Sequence, residues 1–176
     1  MTYASPVHSV ASMTNDDATQ TDRSALARTA AIIAASAFGA IGVIHAVWAV
    51  GETWPFTDKE TLSETVWGAP ASTFPSPAAT LAVTVLLGIA ALLVTGQAGM
   101  WGARAVPGWM FSVGTWGVAA VLLLRVLYGL TSIGSDSTNA SWDLAFYSPL
   151  CLVLALLCAV VARRGLSSRR VGTERR

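Results

Sequence analysis

Four long apolar runs constrain this chain more than any other feature: Ala30–Val50, Ala78–Gln97, Trp109–Leu130 and Phe146–Ala162. Each is about 17 to 22 residues, the length at which a helix rising about 1.5 Å per residue crosses roughly 30 Å of hydrocarbon. Hydrocarbon supplies no hydrogen-bond partner, so a segment inside it must satisfy its own backbone, as a helix does. Only 12% of the residues are charged, against about 25% in soluble domains. The expected fold is an all-α membrane protein: one four-transmembrane-helix bundle over 30–162, with a long structured outer loop between helices 1 and 2.

Residues 1–29 are rich in Ser, Thr, Ala and Asp and are expected to form a mobile cytoplasmic tail. The first run follows that polar stretch and exceeds the roughly 7–15 residue core of a signal peptide, so it should be retained. Orientation follows the arginines. Arg23 and Arg28 precede helix 1, Arg104 lies between helices 2 and 3, and Arg163, Arg164, Arg169, Arg170, Arg175 and Arg176 follow helix 4. The connections Gly51–Pro77 and Thr131–Ala145 hold a single base, Lys59. Both termini are therefore expected in the cytoplasm of a bacterial inner membrane, with a basic tail at 163–176. A net charge of +1 excludes a nucleic-acid partner. The arginine tail reads as a topology anchor that also favours anionic lipid.

The outer loop Gly51–Pro77 is long and rich in Trp, Phe and Pro, a composition that argues for order. A Thr57-Asp58 cap with Glu60 and Glu64 at helical spacing predicts a short interfacial helix over Thr57–Val66. Gly134–Asn139 reads as a flexible loop leading to Trp142, Phe146 and Tyr147 at headgroup level. Gly39, Gly42, Gly88, Gly114 and Gly117 are expected to let helices approach closely. Cys151 and Cys158 are two turns apart on one helix face, too far for a disulfide. Asn139-Ala140-Ser141 fits a glycosylation sequon, a pattern common by chance.

Two ionisable side chains sit well inside the apolar runs, His45 and Arg125. Each lies five residues before the outer end of its run, about 7.5 Å below the boundary. Offsets of three, four and seven place Phe38, Ile41, His45, Trp48 and Glu52 on one face of helix 1, and Arg125 shares a face with Tyr128. If these faces meet, they enclose an outer pocket over which Pro55 turns the chain. Alternatively, Arg125 snorkels or pairs with Glu52 as a lock between helices, and His45 is a satisfied core residue. No metal or other cofactor is expected, because a metal site needs about three or four ligands. No nucleophile elbow, phosphate loop, H-E-x-x-H or nucleotide fingerprint is present.

The pattern H-x-x-W-A-x-G-x-x-W-P at His45–Pro55, followed by Trp67-Gly68 and Pro70, with a lone arginine in the third span, resembles the small bacterial membrane proteins of domain-of-unknown-function family 3995, common in actinobacteria. The resemblance runs over about Ala30 to Ala162. It implies the four-helix architecture and points to His45, Trp48, Trp54 and Arg125, and it carries no activity. Glu52 departs from the pattern, where a second glycine is expected after Gly51.

Three functions compete. The first is acid–base chemistry, cyclisation or isomerisation, on an isoprenoid- or sterol-like substrate. There Glu52 or an outer acid such as Asp143 moves the proton, His45 assists, Arg125 tunes the acid, and Phe38, Trp48, Trp54, Trp67 and Tyr128 hold the substrate. The second is proton-coupled transport or binding of a hydrophobic or cationic compound, with a homo-oligomer supplying the volume that four short helices lack. The third is a non-catalytic accessory subunit.

Overall fold

The computed structural model describes residues 7–101, 106–131, 133–135 and 137–173. Arg104, Asp136, Arg175 and Arg176 lie outside the described residues. Among the described residues six α-helices follow in order: α1 Val7–Ala49, α2 Lys59–Leu62, α3 Pro77–Gln97, α4 Gly108–Leu130, α5 Thr138–Trp142 and α6 Ser148–Thr173. Segments Thr19–Ala49, Pro77–Gln97, Gly108–Leu130 and Thr138–Arg163 are each long and apolar enough to cross a membrane. The protein is an all-α, four-span integral membrane protein.

Helix α1 begins well before Ala30 and shows no break at residue 29. No Gly or Pro lies between residues 7 and 38 to stop it, and Ala27, Ala30, Ala31 and Ala34 are buried along one side. Ser76 opens α3 by accepting the Ala79 amide (3.3 Å), with Pro77 in the first turn where its missing N–H costs nothing.

Helix α1 packs on α3 and α6, and α4 packs on α6 and α3; α1 and α4 share no extended interface. The spans thus form a ring with α1 diagonal to α4. At its centre Phe38, Val94, Ala119, Leu154, Cys158 and Val161 close one core. In lipid such packing rests on van der Waals fit and interhelical hydrogen bonds. Thr115 Oγ1 donates to Leu93 O (3.3 Å), Thr84 Oγ1 to Gly42 O (3.4 Å) and Gln97 Nε2 to Ala162 O (3.4 Å). Cys151 is half-buried, Cys158 is buried, and both are free.

The glycines divide differently from expectation. A β-carbon on Gly114 would meet Leu93 at 2.7 Å, and one on Gly42 would make ordinary contact with Leu87 at 3.7 Å. Gly39, Gly88 and Gly117 face open space, whereas Gly96, against the Phe111 ring, marks a close approach. Helical spacing alone gives a glycine no neighbour.

In the connection between the first two spans Asp58 Oδ1 accepts the Thr61 amide (2.8 Å) and starts α2. The helix continues as a π-helical turn, Ser63–Trp67, and stops at Gly68 in the left-handed conformation (φ 74°). A short helix is therefore present, capped by Asp58 and slightly displaced from Thr57–Val66. The second connection departs further from expectation. Ser137 Oγ accepts the Ala140 amide (3.2 Å) and starts α5, which passes through a π-helical turn, Asp143–Tyr147, into α6. The fourth span therefore starts at Thr138, and Asn139 is helical. Asn139 Nδ2 donates to Thr65 O (2.9 Å), joining the two connections.

Candidate functional site

The π-helical turn inserts an extra residue into the fourth span and turns Asp143 inward. Such single-turn insertions concentrate at functional positions. Asp143 is 2% exposed and meets α4 at Arg125. Arg125 Nη2 donates to Asp143 Oδ1 in an ion pair, and Ser148 Oγ donates to Asp143 Oδ2 (3.2 Å). Gly129 lies one turn beyond Arg125 on the same face. A β-carbon there would overlap Ser148 Oγ and Asp143 Oδ2, so the glycine makes room for the carboxylate.

The pair is incomplete. Arg125 Nη1 is enclosed yet has no hydrogen-bond partner among the described residues. Desolvating two charges is repaid only when the remaining donors and acceptors are satisfied as well. The Arg125 side chain is 36% exposed, and its guanidinium carbon lies 5.8 Å from the Tyr128 ring centroid. Tyr147 and Cys151, both half-buried, lie within electrostatic reach of Arg125 and Asp143.

His45 belongs to a different cluster. Its Nδ1 is 2.9 Å from Ile41 O, and its ring lies 5.0 Å from Trp48. Trp48 Nε1 donates to Trp54 O (2.8 Å), and the Trp48 ring is 6.4 Å from Phe56. Gly51 (φ 95°) reverses the chain after α1, with the Gly51 and Glu52 amides bonded to Trp48 O and Val47 O. This turn folds Trp54 and Phe56 back over Trp48.

The expected convergence of the α1 and α4 faces is therefore corrected. The ring order sets α1 diagonal to α4, His45 bonds within its own helix, and Arg125 takes Asp143 rather than Glu52 as partner. Glu52 is exposed, and Phe38 is 1% exposed inside the core. Trp54, Trp67 and Tyr128 are exposed; Tyr128 alone of these three stands beside the ion pair. Gly129 and Ser148 went unnoticed in the sequence, and Tyr147, read there as a headgroup-level aromatic, lies near the ion pair. A glycine four residues after an intramembrane arginine was the available signal for Gly129, and a serine five residues after an aspartate at a span's edge for Ser148.

Two grooves flank the entry of the fourth span. One, of about 310 Å³, lies between the α1–α3 and α4–α6 connections and is lined by Glu64, Gly68, Pro70, Ser137, Thr138 and Asn139 among others. The second, of about 260 Å³, is lined by Ser141, Trp142, Ala145 and Phe146.

A bundle of four helices long and apolar enough to cross a membrane, with a carboxylate–guanidinium pair of buried Asp143 and partly exposed Arg125 near one end, defines the class of this protein. Within that class the chain belongs to the family of proteins of unknown function DUF3995, whose model matches residues 37–158, an interval that holds the α1–α3 and α4–α6 connections, His45 and the Arg125–Asp143 pair. No curated protein and no solved structure matches the chain.

Proposed function

We propose that this protein binds the oxygen-bearing end of a lipophilic molecule at the outer end of the bundle, with Arg125 touching the ligand and Asp143 positioning Arg125. One observation carries the reading: Asp143 holds a single guanidinium nitrogen from the inside, while Arg125 stays about a third exposed beside Tyr128. An intramembrane arginine costs about 2.5–3.5 kcal/mol or more. A purely structural lock would recover that cost through a fork-on-fork pair, which this is not. A ligand carbonyl or hydroxyl at the guanidinium would be polarised by it, and a shift in Asp143 and Ser148 would supply proton exchange. Isomerisation or cyclisation of an isoprenoid- or sterol-like substrate would use both functions. In this reading the acid is Asp143, not Glu52, and His45 supports the neighbouring aromatic cluster. The arginine distribution supports a bacterial inner membrane with both termini cytoplasmic.

The test compares lipid extracts from cells producing equal amounts of the wild type, Arg125→Gln and Asp143→Asn. A lipophilic compound with altered chromatographic retention at unchanged mass should occur with the wild type and be lost in both variants. Identical extracts from all three would refute the reading.

A further inference from the structure

The two grooves are joined by helical geometry. Ser137 and Thr138 line the outer groove, and the residues four positions further on, Ser141 and Trp142, line the inner one. Four more positions reach Ala145 and Phe146, which complete that lining. Residues at this spacing lie one above another on a helix face. The Trp142 and Phe146 rings confirm the alignment, with centroids 6.4 Å apart, edge to face. A track about 13 Å long therefore runs down the start of the fourth span. Its outer end is polar and its inner end is apolar.

We propose that this track binds a cationic amphiphile, with an ammonium head in the outer groove and an aliphatic chain against Trp142 and Phe146. The proposal does not depend on the ligand chemistry at Arg125. Charge selects the head: Glu64 is the single ionised side chain lining the outer groove, is exposed, and forms no ion pair among the described residues. The outer connections carry Glu52, Asp58, Glu60, Glu64 and Asp136 against Lys59, apart from the paired Asp143. That excess of negative charge draws cations and repels anionic heads. Ser137, Thr138, Asn139 and the Gly68–Pro70 segment line the same groove as Glu64 and bring neutral oxygens of the kind to which an ammonium donates. Chain length and polarity agree, since the apolar groove lies on the membrane side of the polar one.

The test uses the full chain in phosphatidylcholine nanodiscs and a long-chain primary amine carrying a mid-chain diazirine. After photolysis, peptide mass spectrometry should find label concentrated on residues 138–147, removed by excess unlabelled amine. Glu64→Gln should weaken the apparent affinity about tenfold, the loss of one charge-assisted contact. Glu64→Asp, which keeps the charge, should label close to the wild type, a retention that a merely misfolded Gln variant could not explain. Label spread evenly over the lipid faces of all four spans, as annular lipid alone would give, overturns the proposal. So does a Glu64→Gln variant that labels like the wild type.

Discussion

Gly129 and Asp143 are in direct apposition across the α4 interface: the space a β-carbon would need at Gly129 is filled by the Asp143 carboxylate and the Ser148 hydroxyl. Gly129→Ala should therefore destabilise the bundle by about 1–3 kcal/mol through overpacking. Chemical unfolding in mild detergent would measure it. A variant as stable as the wild type would show that the π-helical turn gives way without cost.

The Arg125–Asp143 pair yields a double-mutant cycle. Asp143→Leu and Arg125→Met should each destabilise by about 2–4 kcal/mol, towards the lower part of the range for broken buried pairs because Arg125 is partly exposed. The combination Arg125→Met with Asp143→Leu should recover most of that loss while abolishing ligand binding. Additive losses in the double variant would mean that the two side chains act separately.

Glycine substitutions separate packing from propensity. Gly96→Ala places a methyl group against the Phe111 ring and should lower stability by about 1–3 kcal/mol. Gly39→Ala, Gly88→Ala and Gly117→Ala meet nothing within 4 Å and should be neutral or stabilising by about 0.5–1 kcal/mol. Thermal unfolding of the four variants side by side checks the contrast.

The Thr61 amide, assisted by the Thr61 and Thr57 hydroxyls, holds the exposed Asp58 carboxyl below its ordinary value of 3.8. A depressed folded pKa means that the cap contributes fully above 3.8 and is lost as pH falls through the lowered value. Hydrogen exchange of the α2 amides, corrected for intrinsic rates, should show constant protection near neutrality and a decline in acid. Asp58→Ala should remove that acid-dependent step.

Asn139 links the fourth span to the connection between the first two spans through Thr65 O. Asn139→Ala should cost about 1 kcal/mol and raise exchange at Ser63–Trp67 while leaving α3 and α4 protected. Uniform loosening across the spans would contradict a local strut.

Apolar length and the demand that a backbone in lipid bond to itself made the four spans legible, because neither depends on which helix neighbours which. The Asp58 cap was legible for a similar reason, since a cap is satisfied within a few residues. Counting gives His45 and Arg125 equal distances from the ends of their runs, yet it does not say which helix faces meet. The start of the fourth span was missed because Ser137–Asn139 are polar by composition, and their helix is sustained by the Ser137 cap and the Asn139 bond to Thr65. Asp143 consequently read as one loop acid among several.

The amino-acid order by itself determined that this chain forms membrane-spanning helices and how many of them there are, both consequences of hydropathy and helical rise. Only the tertiary structure decided that Asp143, not Glu52, neutralises Arg125 and that His45 stands apart. Partner choice follows from the ring order of the helices and from one π-helical turn. Both are settled by packing between segments distant in sequence, which no local periodicity encodes.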